Sequence, residues 1–271
     1  MMLLIDAGNT RAKFAWQATA TSPRTPARTL DYSGLPDLAR QAPGRPSQIL
    51  ASNVAGADVA ARIQLACHQA WGLPIRWCTP RDGQDRLHNI YADPDRMGAD
   101  RWLGLLGLLS HLRDSPAWQQ GQPALLASFG TATTLDALMP ATHAGLPEFI
   151  GGLILPGPYL MAQSLAQGTA QLPLADGQPM DFPHNTHDAI ASGIAAAQAG
   201  ALLHQWHCLR RHANGRAPLV FCCGGGWPLI RNVAQADLNQ ALQALQRPAW
   251  TIPTLDSPVL DGLASLTSPS S

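Results

Sequence analysis

One layout occurs twice in this chain and limits its fold more than any other feature. LLIDAGNTRAKFAW near the start and ALLASFGTATTLDAL near the middle each read as an apolar strand, a glycine turn of the form x-G-[NT]-[TA], and a second apolar strand. Two similar halves are implied. Around these hairpins, strand and helix signals alternate, as in a mixed α/β layer. The first half reads as strands at Met2 to Ile5, Ala12 to Trp16, Ser47 to Ser52 and Pro74 to Cys78, with a loop at Thr19 to Arg28 and a helix near Ala57 to Ala70. Apolar residues at helical spacing predict another helix over Asp95 to Leu112, with Asp93 or Asp95 available to cap it. A polar break at Asp114 to Pro123 precedes the second copy of the layout, so the expected domains are residues 1–115 and 116–271. In the second, FIGGLILPGPYLMAQSLAQGTAQLP gives a strand, a turn and an amphipathic helix. Thr186 to Arg211 reads as a long helix, and PLVFCCGGGWPLI as a strand entering a triple-glycine turn and a helix start. The tail LTSPSS is polar and expected to fray.

Composition narrows the function. Eighteen basic residues balance eighteen acidic ones over 271 residues, so no net charge draws the chain to nucleic acid or an anionic membrane surface. At 46% hydrophobic and 13% charged it is too apolar for a disordered chain. No run approaches the roughly 20 apolar residues of a membrane span. MMLLIDAGNT lacks a basic region and a cleavage site, so a cytoplasmic protein is expected. Cys67, Cys78, Cys208, Cys222 and Cys223 form no CxxC pair, which suits a reducing compartment and offers neither a disulfide framework nor a zinc site. Lys13 is the sole lysine.

The turn Asp6-Ala7-Gly8-Asn9-Thr10-Arg11-Ala12-Lys13 sets a carboxylate at a strand end, a glycine where backbone must approach closely, and donors after it. Such a turn can offer N–H groups to phosphate oxygens while Asp6 holds a divalent ion; alone, it is equally well an ordinary hairpin turn. Ser128-Phe129-Gly130-Thr131-Ala132 and Gly224-Gly225-Gly226 are two further bare turns after strands. Three such loops in two halves suit a nucleotide held between domains. Neither a GxxxxGK[ST] loop nor a GxGxxG turn from strand to helix occurs. In Gly98-Ala99-Asp100-Arg101, a glycine within a helix is unfavourable by roughly 1 kcal/mol unless something must come near the backbone. The Asp–Arg pair reads either as general base and anion anchor or as a surface ion pair.

DAGNTRAK at the N-terminus, GADR near position 100, GTATTLD about thirty residues later, GGLILPG and CCGGG together resemble type III pantothenate kinase, including its Bvg accessory factor branch. The likeness runs through nearly the whole chain in the family's order. It implies two related ribonuclease-H-like α/β domains of the acetate and sugar kinase, heat-shock chaperone and actin superfamily, with an interdomain ATP cleft, usually in a homodimer. By the same resemblance, Asp6, Ala7, Gly8, Asn9, Thr10, Arg11, Ala12 and Lys13 form the ATP phosphate loop and Thr131 touches ATP. Asp100 is the proton acceptor, and Tyr91, Gly98, Ala99, Asp100, Arg101 and Thr186 border pantothenate. The implied reaction moves the ATP γ-phosphoryl group to the primary hydroxyl of pantothenate, the entry to coenzyme A. Magnesium accompanies ATP near Asp6. The family also uses potassium or ammonium and usually has Asp just before the F-G-T-A turn; this chain has Ser128 there.

Other readings carry less. His204, His207, Cys208 and His212 share one face of a helix at metal-ligand spacing, but no second set of ligands is evident. The eight tryptophans are scattered rather than striped with basic neighbours, as single-strand binding requires, and Trp227 reads as a core residue or an adenine neighbour. The competing class is a regulator that binds a nucleotide without turnover; a sugar kinase of the same superfamily lacks room for its insertions.

Overall fold

The structure, a computed structural model, describes residues 1–141, 145–174 and 176–267. Residues 268–271 of the tail expected to fray lie outside this set. In chain order the elements are β1 (Met2–Ala7), β2 (Ala12–Gln17), β3 (Arg28–Leu30), β4 (Gln48–Asn53), α1 (Ala57–Trp71), β5 (Ile75–Trp77), β6 (His88–Asn89), α2 (Ala99–Leu112) and α3 (Pro116–Gln119). There follow β7 (Ala124–Phe129), β8 (Ala132–Met139), β9 (Glu148–Pro156), α4 (Pro158–Gly168), α5 (Thr186–His212), β10 (Leu219–Cys223), α6 (Trp227–Ala244) and α7 (Pro258–Ser265). Short 3-10 turns occupy Tyr32–Gln41 and Pro94–Arg96. No helix among the described residues is long and apolar enough to cross a membrane.

The chain divides into two compact units: Met1–Gln119 with Ala141–Phe149 and Asp256–Ser271, and Gln120–Pro140 with Ile150–Leu255. A single cut at 115/116 was the expectation; α7, invisible as a separate element in the sequence, instead returns to the first unit. The reason is packing against α2. A Cβ on Gly107 would lie 1.9 Å from the Pro258 carbonyl oxygen, and one on Gly262 would lie 2.0 Å from that of Leu103, so each glycine admits the other helix's backbone. Asp261 ties α7 down further. Its carboxylate takes Arg24 Nε at 2.7 Å and faces His111 Nε2 at 3.0 Å. Burial works against that charge, but the bonds from His111 and Arg24 and the arginine's charge outweigh it, holding Asp261 below the usual carboxylate range.

The first unit's sheet has the order β3-β2-β1-β4-β5, with β1 antiparallel to β2 and parallel to β4. Leu3, Ile5 and Ala7 of β1 and Ile49 and Ala51 of β4 face one core, which α1 closes. The alternate residues, Leu4 and Asp6 with Leu50 and Ser52, therefore share the other face, where α2 and α7 pack. In the second unit the sheet runs β10-β7-β8-β9, with β7 antiparallel to β8 and parallel to β10. Both units thus place a strand–glycine turn–strand hairpin beside a parallel strand, as the repeated layout predicts.

One expected boundary moves. The helix predicted from Asp95 starts at Ala99, and the 3-10 turn Pro94–Arg96 is separated from it by extended backbone at Met97 and Gly98. Neither candidate acid caps it, because Asp93 bonds Arg96 and Asp95 bonds Arg81. Gly98 precedes the helix rather than interrupting it.

Gly107→Ala is expected to cost about 3 kcal/mol, at the upper end for overpacking, since the new methyl meets fixed backbone. Urea unfolding checks it: a variant as stable as the parent would mean that α2 and α7 can separate freely.

Candidate active site

The first predicted motif forms a closed turn. Ala7 and Ala12 pair across β1 and β2 and are buried, anchoring both ends, and the Gly8 amide donates to the Arg11 carbonyl at 3.2 Å. Asn9, Thr10 and Arg11 are exposed at its tip. Asp6 and Lys13 are cross-strand partners, so the sole lysine stands beside the carboxylate on the same face of the sheet. Strand alternation in the sequence carries that signal.

A residue that sequence reasoning missed holds this turn in place. The Tyr32 hydroxyl donates to the Gly8 carbonyl. Tyr32 is fixed in turn by Arg62, whose Nη2 donates to the Tyr32 carbonyl at 2.8 Å and whose guanidinium lies 5.8 Å from the ring centroid. Nothing in the spacing of Tyr32 from Gly8 betrays the contact, which arises because the 3-10 turn after β3 folds back toward β1.

At the head of α2, the Arg101 amide donates to Asp100 Oδ1 at 2.8 Å. A Cβ on Gly98 would stand 2.8 Å from that same oxygen, so the glycine leaves the carboxylate its space. Arg101 is no surface ion-pair residue: it is buried, donates from Nη1 to the Tyr91 hydroxyl at 3.0 Å, and lies 5.7 Å from the ring centroids of both Tyr91 and Phe149. Tyr91 thus joins the contiguous string Ala99-Asp100-Arg101 at one helix start. Phe149 joins them unannounced.

Electrostatics link the two acids. Burial, then the charge of Asp100, push Asp6 up to about 7, while Lys13 pulls it down. Burial also raises Asp100, opposed by the Arg101 amide and charge. Two carboxylates crowded in this way, beside a lysine, fit the polyphosphate and magnesium of a nucleotide: a divalent ion relieves their repulsion.

In the second unit the other motifs converge on one turn. The Gly130 amide donates to Ala132 at 3.0 Å, the Gly157 amide to Thr131 at 2.9 Å, and the Gly226 amide to Phe129 at 2.9 Å. A Cβ on Gly157 would lie 2.1 Å from the Gly130 oxygen, and one on Gly224, at φ +97°, would lie 2.4 Å from that of Phe129. GTATTLD, GGLILPG and CCGGG are therefore one backbone-to-backbone assembly. Ser128 pairs with Thr134 and with Cys223. Cys222 and Cys223 are both buried. Trp227 stacks on Phe129 at 5.5 Å and is buried, which makes it a core residue. Thr186, the first residue of α5, is exposed and follows the cap Asn185. Cys208 lies 3.5 Å from His204 Nε2, and among the described residues no group of three potential metal ligands occurs.

Residues 2–207 match the family described as type III pantothenate kinase. Curated relatives of that name include one from Bordetella petrii, 46% identical over 273 residues, and one from Bordetella bronchiseptica, 44% identical over 275; each alignment covers 98% of this chain and 97% of the relative. The chain belongs to the type III pantothenate kinase family. Among solved structures, a conserved putative Baf family transcriptional activator from Campylobacter jejuni superimposes with a TM-score of 0.55 at 16% identity, covering 97% of this chain and 96% of that one, a likeness of fold. The fold is α/β, built from two units that each hold a mixed sheet with helices.

Tyr32→Phe, which removes the bond to the Gly8 carbonyl, is expected to raise the KM for MgATP about threefold to tenfold with pantothenate KM unchanged. Steady-state kinetics with each substrate varied in turn decide; equal effects on both would show that the hydroxyl serves general stability.

Proposed function

We propose that the residues gathered at the heads of β2 and α2 divide one phosphoryl transfer between them. The chain is a type III pantothenate kinase: it uses ATP, with magnesium, to phosphorylate pantothenate, the first step of coenzyme A biosynthesis. The reading of the site rests on one arrangement: Asp6 stands opposite Lys13 across β1 and β2, and it feels the charge of Asp100 at the head of α2, 94 positions later in sequence. Phosphoryl transfer asks the protein mainly for positioning and charge neutralisation.

In this reading Asp6 to Lys13 receive the phosphates, with Asp6 toward the magnesium that ATP brings and Lys13 as a point charge. Asp100 accepts the proton of the attacking hydroxyl. Its raised pKa supports the role, because a base works best when its pKa approaches the working pH. Tyr91, Gly98, Ala99 and Arg101 border pantothenate, the arginine's donors facing the polar end of the substrate. In the second unit Thr131 contacts ATP, and Thr186 borders pantothenate in a homodimer. Exposed apolar side chains support a covered face there, Phe182 being 83% and Leu174 63% exposed. A cytoplasmic setting suits a kinase with five free cysteines.

A potassium or ammonium ion near Ser128 completes the proposal. The position offers a neutral hydroxyl between Thr134 and Cys223, oxygen chemistry that suits a monovalent ion but supplies no charge. The regulator reading is not favoured by the family relationship.

Incubation of purified protein with ATP and pantothenate, followed for phosphopantothenate, tests the activity directly. Asp100→Asn should keep MgADP binding while lowering kcat about 10²-fold or more, and near-normal turnover would remove Asp100 from the mechanism. Ser128→Asp should lower the potassium concentration for half-maximal activity, since hard cations favour charged oxygens. It should also slow the enzyme in potassium-free choline buffer, where the unpaired carboxylate opposes phosphate. Superimposable potassium titrations of the two proteins would place the cation elsewhere.

A further inference from the structure

Asp6 has a second neighbour across the sheet. The register that pairs Asp6 with Lys13 on β2 pairs it with Ser52 on the parallel strand β4, so Lys13, Asp6 and Ser52 form one row across three strands. Alternation puts all three on the face away from the α1 core, the face that α2 and α7 cover. Ser52 is fully buried, and its hydroxyl has no hydrogen-bond partner among the described residues. Such a group is uncommon, because a buried hydroxyl without a partner forfeits its hydration for nothing. Alanine would fill the same place in the strand without that cost.

The surroundings explain what the hydroxyl is for. On one side of Asp6 stands a cation, Lys13; on the other stands a donor with a free proton and one side-chain torsion to turn. Neighbouring residues on one face of a sheet are close enough for a short side chain to reach a carboxylate on the next strand. We propose that Ser52 is a positioning residue for Asp6, giving its carboxylate a hydrogen bond when MgATP is bound and so fixing which oxygen faces the nucleotide. The inference rests on the reading of Asp6 to Lys13 as the phosphate loop. It accounts for an unpaired hydroxyl that the fold itself does not need: the partner is supplied by the working state.

Two signatures separate this role from a structural one. Ser52→Ala should weaken MgADP binding in calorimetry about tenfold, the scale of a hydrogen bond to a charged group, and raise the MgATP KM similarly with pantothenate KM unchanged. The same variant, free of ligand, should melt no lower than wild type, because the lost hydroxyl bonded nothing. A structural hydroxyl would give the reverse, a lower melting temperature with MgADP affinity intact, and would overturn the proposal. A double-mutant cycle with Asp6→Asn completes the test. Once Asp6 is Asn, removing the Ser52 hydroxyl should change MgADP affinity less than twofold; a full tenfold loss there would show that Ser52 acts on something other than Asp6. If Asp6→Asn alone binds MgADP as wild type does, the phosphate-loop reading fails and Ser52 loses its purpose with it. If Asp6→Asn weakens binding and Ser52→Ala does not, only the role of Ser52 falls.

Discussion

Two carboxylates, Asp6 at the end of β1 and Asp100 in the first turn of α2, are held where burial acts against the charge of each, and the charge of Asp100 adds to the effect on Asp6. A fold gains nothing from this arrangement. With Asp6 raised to about 7 from an ordinary 3.8, the folded chain prefers that proton bound, so the group's contribution to stability is full at low pH and fades as pH rises through 7. The surrounding structure must hold α2 against the sheet by other means. Backbone contact at Gly107 and Gly262, the Trp102 indole donating to the Asp82 carbonyl at 2.7 Å, and the Arg24–Asp261–His111 cluster supply that hold. The acids can then remain crowded in the resting protein.

The internal repeat shows what each half has kept. In the first unit β1 lies between antiparallel β2 and parallel β4, and in the second β7 lies between antiparallel β8 and parallel β10. Counting back from the turn glycine, Ser128 occupies the place of Asp6. The row Lys13–Asp6–Ser52 becomes Thr134–Ser128–Cys223, the same geometry with every charge removed. One ancestral-looking unit thus carries the ionic chemistry of its row, and the other presents hydroxyls, a thiol and closely packed glycine backbone.

Much of this was legible because it is local. The hairpins, the parallel strands and the long helices follow from runs of apolar residues, and β1, β2, β7 and β8 fall where alternation and glycine place them. The grouping of Tyr91 with Arg101 came from family likeness rather than from spacing and is present as geometry, whereas the convergence of three glycine turns around Phe129 is visible only in the fold. What escaped was non-local. Helix α7 is eight residues long, and its weight lies in contacts with α2, some 150 positions earlier. Tyr32 and Ser52 carry no motif; one is known by its bond to Gly8, the other by a buried hydroxyl with no hydrogen-bond partner among the described residues. Gly98 was misplaced within a helix because propensity cannot see that a carboxylate two residues on needs its space.

Asp100 shows how finely such a site is balanced by short-range forces. A carboxylate in the first turn of a helix normally gains from the partial positive charge there, and this one also accepts the Arg101 amide and lies next to the guanidinium. All three favour the charged form. Burial at the head of α2 nevertheless prevails and raises its pKa. The helix end and Arg101 draw its pKa down and burial draws it up, so the net shift is smaller than burial alone would give. Arg101 therefore has two duties in one position, restraining the basicity of Asp100 through its amide and charge while its guanidinium is locked between Tyr91 and Phe149. Replacing it by lysine would keep the amide and the charge but lose the planar contact with two rings, separating the two duties by chemistry alone.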